Sequence, residues 1–237
     1  MGRYYIGSVG DADPALPPIP DSAQFRRWFG RSKVVDKRGL PLVVWHGSKS
    51  ANFTTFRFKG ESEIGPHFGT YAAAAEFVDE RFIRREQLPQ HLRPFYLSIQ
   101  NPIKLEDCRW TDGIGFVGDE RLTVQQVESD DPYYLGQGVL RQLVQKRLLT
   151  ADKARGVSVG FLNPREGRTP ADRGPYLATI LRALGHDGVV YKNFHEDIGS
   201  LSWIIFDPRQ VKSVFNRGNF SPDDPDVFAG LRPRGRG

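Results

Sequence analysis

The chain of 237 residues holds 33 Lys and Arg against 28 Asp and Glu, a net charge of +5, with 39% hydrophobic residues and a mean hydropathy of −0.46. These values describe a globular protein that folds in water and is long enough to bury a sizeable core. One cysteine, Cys108, excludes an internal disulfide framework and any multi-cysteine metal site and fits a reducing compartment, with the cytoplasm, or a target cell's cytoplasm after delivery, as the expected location; the longest purely apolar runs, 42–45 and 72–75, are far too short to span a membrane.

Residues 1–20 end in a stretch with prolines at 14, 17, 18 and 20, which cannot hold a helix and reads as an extended arm. Asp21 or Ser22 then caps a helix whose Phe25, Trp28 and Phe29 fall at i, i+3 and i+4 and lay an aromatic stripe on a core. Two β-branched runs, 33–36 and 40–45, flank Lys37-Arg38-Gly39 and read as a hairpin. Thr70 is the expected N-cap of a helix over 71–86, with Ala74, Val78 and Phe82 on one face. A strand over 95–100 is stopped by Asn101-Pro102. Leu140, Leu143, Val144 and Leu148 mark another amphipathic helix. A further helix carries Pro175 in its first turn, Leu177, Ile180, Leu181 and Leu184 at helical spacing, and Gly185 as its stop. Strands over 189–191, 202–206 and 210–215 close a domain of residues 21–216, and the Pro-, Asp-, Gly- and Arg-rich residues 217–237 read as a disordered tail.

The cations are 24 Arg and 9 Lys, unevenly spread: between 141 and 173 eight of them face three anions, an excess of +5 that equals the whole chain's. Such a segment suits nucleic acid or another polyanion. A solvated helix and loop is the commoner meaning of a run of this kind.

Several motifs fail on context. Gly113-Ile114-Gly115-Phe116-Val117-Gly118 matches the dinucleotide fingerprint in letters, but the acidic residues that follow come too early and no strand precedes it. His195-Glu196 opens like a zincin helix, yet Gly199 stands where the second histidine belongs. The five histidines show no short ligand spacing, so no metal site is expected.

Three segments remain, each pairing an expected strand with polar groups that a core does not require. The first is Val43-Val44-Trp45-His46-Gly47-Ser48; a histidine at a strand end is by itself as well explained by core packing. The second is Gly65-Pro66-His67-Phe68-Gly69-Thr70-Tyr71, where glycines admit a ligand to the backbone and aromatic rings offer a stacking face. The third runs from Tyr191-Lys192-Asn193-Phe194-His195-Glu196 through Asp197-Ile198-Gly199-Ser200-Leu201-Ser202 into the apolar Trp203-Ile204-Ile205-Phe206.

The order and content of these segments resemble the ADP-ribosyltransferase superfamily, which includes diphtheria-type toxins and poly(ADP-ribose) polymerases, and within it the ADP-ribosyltransferase domain of bacteriophage polyvalent proteins. The resemblance spans roughly residues 25–216. It implies an α+β fold, a split β-sandwich of two small sheets flanked by helices, with NAD as co-substrate in the cleft. It further implies mono-ADP-ribosyl transfer to a macromolecular acceptor, protein or nucleic acid, by a phage or bacterial toxin or effector, with segment 141–173 as a nucleic-acid contact.

Residue by residue, the resemblance implies that His46 bonds the adenosine ribose and that Gly47 and Ser48 hold the nicotinamide amide. His67 or Phe68 then takes the place of the relatives' stacking tyrosine, followed by Gly69, with Tyr71 as a second aromatic. The polymerase branch carries its catalytic Glu at the start of the last core strand, where this chain has Ser202. Glu196, six residues earlier, is the substitute. The chemistry explains the need: cleaving the nicotinamide–ribose bond develops positive charge on the sugar, which a carboxylate on the ribose hydroxyl orients and stabilises. Asn193, Ser200 and Ser202 add hydrogen bonds around it. Two alternatives stay open: a catalytically silent NAD- or polyanion-binding module, suggested by Ser202 in the acid's place, and an RNA 2'-phosphotransferase-like enzyme, which cations beside His46 and His67 would favour.

Overall fold

The computed structural model describes residues 16–48, 53–58, 63–81, 91–108, 110, 116–117, 120–121, 138–162, 173–216 and 218–228. The first helix, α1 (Ala23–Phe29), is set by Ser22, whose side chain accepts a hydrogen bond from the Phe25 N–H at 3.1 Å, and it ends at Gly30, with φ +57°. Its buried face, Phe25, Trp28 and Phe29, packs on Tyr96, Val214 and Phe220, as the stripe predicts. The expected hairpin is reduced to one bridge, Val35 to Pro41, around a turn in which the Asp36 carboxylate accepts from Arg38 and Leu40 N–H. The bonds of that bridge, Asp36 N–H to the Leu40 carbonyl and Leu42 N–H to the Val34 carbonyl, flank Pro41, and the ladder goes no further because the Lys33 N–H turns to the Ile99 carbonyl; the next strand is β1 (Val44–Gly47).

Two small sheets form the body. One is antiparallel, in the order β1, β3 (Leu92–Leu97), β9 (Val211–Ser213). The other runs β2 (His67–Phe68), β8 (Leu201–Ile205), β7 (Gly188–Lys192), β4 (Pro102–Lys104), with only the β4–β7 pair parallel. Pro102, expected to stop a strand, opens β4: at a strand's first residue on a sheet edge its missing N–H costs no ladder bond. Phe116–Val117 (β5) and Glu120–Arg121 (β6) pair with each other.

The two sheets share a core in which Val44, Phe95, Leu97 and Val211 of the first meet Phe68, Trp203 and Ile205 of the second. They also meet edge to edge, where Trp45 and Gly69 exchange backbone hydrogen bonds of 2.8 and 2.9 Å. Helix α2 (Tyr71–Arg81) backs onto β1 through Ala74, Ala75 and Val78 against Trp45 and Leu92. Three further helices, α3 (Val139–Gln145), α4 (Ala151–Leu162) and α5 (Arg173–Ala183), cover the outer face of the second sheet, burying Leu140, Leu143, Leu177 and Leu181 against Val189, Tyr191 and Ile204. This is the α+β arrangement of two small sheets with flanking helices that the sequence implied. Among the described residues no helix is long and apolar enough to cross a membrane.

Two boundaries need correction. Leu16, inside the supposed arm, packs against the clusters of Phe25 and of Trp45. More markedly, residues 218–228 are not a loose tail. Phe220 and Val227 are buried, the Val227 N–H donates to the Thr54 carbonyl at 2.8 Å, and the fully buried Lys212 ammonium donates to the carbonyls of Asp224 and of Asp226, the latter at 2.9 Å. Burial pushes the Lys212 pKa below its ordinary value, partly offset by the Asp224 and Asp226 carboxylates. Composition misleads here because two apolar anchors and one inward-turned lysine suffice to strap a polar segment to the sheets. Residues 1–15 and 229–237 lie outside the described residues.

Candidate active site

The three singled-out segments converge where the two sheets meet. β1 presents His46, whose Nδ1 lies 2.7 Å from the His67 carbonyl oxygen. A carbonyl only accepts, so Nδ1 carries the proton and Nε2 is left as an acceptor. The ring packs 5.0 Å from Phe56 and 5.2 Å from Phe68, centroid to centroid. Burial holds its pKa down to about 4: the bond to His67 opposes the shift, and the charges of His67 and Arg93 add to it. His46 is therefore neutral at neutral pH. Behind it, a Cβ on Gly47 would stand 2.4 Å from Val78 Cγ2 and 2.7 Å from the Ala74 carbonyl, so glycine is what lets α2 close on β1. Ser48 is tied to the entry of β3 by its N–H to the His91 carbonyl at 3.0 Å, while His91 Nδ1 donates back to the Ser48 carbonyl at 2.7 Å.

β2 separates the two stacking candidates. Phe68 is 1% exposed and belongs to the core between the sheets, so it is not available to a ligand. His67 turns the other way, with Nδ1 2.8 Å from the Tyr191 hydroxyl and Nε2 3.6 Å from a Glu63 carboxylate oxygen. Tyr71 packs edge-on against Trp45 at 4.9 Å. Gly69 touches Ser202 so closely that a Cβ there would come within 2.6 Å of the serine oxygen.

The third segment is a bonded loop. Asn193, buried, donates through Nδ2 to the hydroxyls of Ser200 (2.9 Å) and Ser202 (2.8 Å), and its backbone N–H reaches the Ser200 carbonyl at 2.9 Å. Left-handed conformations at Asp197 (φ 43°) and Gly199 (φ 92°) turn the chain. Asp197 is pinned twice: its carboxylate accepts from Thr70 Oγ1 at 2.5 Å and its N–H donates to Glu76 at 2.7 Å. Thr70 also accepts from the Ala73 N–H at 3.1 Å, the expected cap of α2, so one side chain joins this helix to the loop. Glu196 sits half-buried on that loop, near enough for its charge to add to the rise of the Tyr191 pKa.

Tyr191 is the residue that sequence reasoning quoted but gave no part. Burial raises its phenol well above the ordinary range, Asp107, Glu196 and Glu63 add to the rise, and a hydrogen bond with Ser202 opposes it. It thus stays protonated and couples His67 to Ser202. Trp110 packs tilted against it at 4.7 Å and edge-on against His67 at 5.8 Å. Tyr191 was recoverable from its place at the head of the third segment. Trp110 and Glu63 carried no sequence signal, since what brings them to the site is cross-sheet packing.

Among the described residues no group of His, Cys, Asp and Glu side chains gathers as a metal site. The glycine-rich letters at 113–118 fall mostly outside the described residues. Of the basic segment, Lys146, Arg147 and Lys153 are exposed around the α3–α4 turn, whereas Arg155 pairs with Asp152.

A family profile described as ADP-ribosyltransferase in polyvalent proteins matches residues 36–220. No curated protein matches the chain. Among solved structures, the chain is similar at 10% identity to one described as an anti-CRISPR protein, over 69% of this chain and 88% of that one, with a TM-score of 0.26, which is too slight a likeness to carry an argument.

Proposed function

Since the chain belongs to the ADP-ribosyltransferases of polyvalent proteins, we propose that it is a mono-ADP-ribosyltransferase that takes NAD as co-substrate, expels nicotinamide and transfers ADP-ribose to a macromolecular acceptor. The observation that supports this best is the meeting of His46, His67 and the Glu196 loop at the Trp45–Gly69 junction of the sheets. The donor set fits such a ligand: a neutral imidazole with Nε2 as acceptor for a ribose hydroxyl, a ring in His67 that is 26% exposed, and a carboxylate on a positioned loop. When bound, NAD supplies a glycosidic bond whose cleavage develops positive charge on the sugar.

In this reading His46 orients the adenosine ribose through Nε2, and the backbone at Gly47 and Ser48 faces the nicotinamide amide. His67, not Phe68, lies against the nicotinamide ring. Glu196 holds the ribose hydroxyl and stabilises the developing charge. Ser202, accepting from Asn193 and bonded to Tyr191, and Ser200 complete the polar wall around it. The exposed Lys146, Arg147 and Lys153 support a nucleic-acid acceptor, as for a phage or bacterial effector.

A second reading, a silent NAD-binding module, is favoured by Ser202: it is 4% exposed and stands where the polymerase branch carries glutamate. Incubation with labelled NAD and cell extract separates the two. Release of nicotinamide, with label lost to protease or to nuclease treatment, supports transfer and names the acceptor class; binding without release supports the silent module.

A further inference from the structure

Arg93 faces His46 directly across the β1–β3 ladder, so the two side chains leave the same face of the sheet with Cβ atoms about 5 Å apart. The Arg93 guanidinium lies over the Phe53 ring at 4.9 Å and beside Phe228 at 5.7 Å, and one Nη1–H donates to the Phe53 carbonyl at 2.9 Å. No carboxylate pairs with it among the described residues, and its other N–H groups find no acceptor there. Burial without a counter-charge pushes its pKa below the ordinary arginine value. A half-buried cation fixed by two aromatic rings and lacking an anion is costly to keep. Purely structural work, tying the Phe53 segment and Phe228 to β3, uses one N–H and the charge against two ring faces, and leaves the remaining N–H groups of the fork unspent.

We propose that Arg93 is the diphosphate-binding residue of the dinucleotide site, an inference that rests on the NAD-dependent reading above. The guanidinium fork matches phosphate oxygens bidentately. The diphosphate of NAD is joined through one methylene to the same ribose that His46 is read as holding, so neighbouring side chains on one sheet face suit neighbouring groups of one nucleotide. Phe53 and Phe228 restrict the guanidinium before ligand arrives, which lowers the ordering cost of binding.

Titration calorimetry of the full chain with ADP-ribose, ADP and adenosine tests this without relying on turnover. The native chain binds ADP-ribose and ADP more tightly than adenosine, and added salt narrows the gap. Arg93→Met, which keeps the aliphatic stem, weakens ADP-ribose and ADP by about 10- to 100-fold and adenosine by less than about 2-fold. Arg93→Lys, which keeps charge but not the fork, falls between. The proposal is overturned if Arg93→Met binds ADP-ribose like the native chain, if all three ligands weaken in parallel, or if a 2'-phosphorylated oligoribonucleotide alone shows the Arg93 dependence. Should Arg93→Met fail to fold, Arg93→Lys decides: affinity for ADP-ribose equal to the native chain's overturns it. A native chain that binds none of the three ligands removes the NAD-dependent reading itself, whereas native binding with no Arg93 effect removes only this inference.

Discussion

The space between the two sheets and the outer face of the second sheet handle buried polar groups in opposite ways. Between the sheets, His46 and Arg93 of the first sheet stand among Phe53, Phe56, Phe68 and Phe228, each with one carbonyl as hydrogen-bond partner among the described residues. Toward the helices, His67, Tyr191, Ser202, Asn193 and Ser200 form a continuous chain of hydrogen bonds. On the first face, aromatic packing sets charge by desolvation. On the second, mutual bonding sets orientation, and each member's geometry depends on the next. Glu196 borders the bonded face, on a loop held by that same chain and by Thr70.

Breaking the bonded face at its carboxylate has the largest expected consequence. Glu196→Gln lowers nicotinamide release from NAD by about 10²- to 10³-fold while leaving the thermal midpoint within about 2 °C of the native chain's; release at the native rate would remove Glu196 from the mechanism. Tyr191→Phe opens the chain in its middle and leaves His67 Nδ1 and Ser202 each short of a partner. It costs about 1–3 kcal/mol in urea unfolding, with turnover reduced about 10-fold and affinity for NAD changed less. A variant as stable and as active as the native chain would mean that the network carries neither.

The aromatic face is sharpened by pH. The His46 pKa is lowered from 6.5 to about 4 on folding, so the unfolded chain takes up the proton first. Its contribution to stability is fully present above about pH 7, is lost as pH falls through 6.5 toward 4 at up to about 1.4 kcal/mol per pH unit, and is gone below both values. His46→Gln flattens that part of the curve in denaturation measured between pH 7 and pH 4.5. An unchanged slope would assign the loss to other groups. The smallest effect is expected from Thr70→Val, which removes the α2 cap and the Asp197 bond together: about 1–2 kcal/mol, read by thermal melting, with hydrogen exchange on residues 193–200 speeding up ahead of the core.

The contrast also accounts for what the sequence disclosed. The aromatic stripe and cap of α1, the strand ending in His46 and the helix stop at Gly185 (φ 90°) are local patterns, and they stand where periodicity and turn chemistry put them. The order of the three polar segments pointed to stretches of chain that converge where the two sheets meet. Pairings across the sheets were not legible: Tyr191 to His67, Trp110 to Tyr191 and Arg93 to His46 join residues far apart in the chain, and no spacing encodes them. The order of residues 218–228 was hidden for a further reason: polar composition reads as a tail, and nothing local shows that the carbonyls of Asp224 and Asp226 enclose the Lys212 ammonium.

The contact between Gly69 and Ser202 constrains how such a sequence can drift. With the serine oxygen held by Asn193, a Cβ added at position 69 would stand only 2.6 Å from it, so any residue but glycine there must push the Ser202 side chain off its asparagine partner. Positions 69, 193 and 202 should accordingly vary as a group: a homologous chain that carries a side chain at 69 is expected to have exchanged the serine or the asparagine as well.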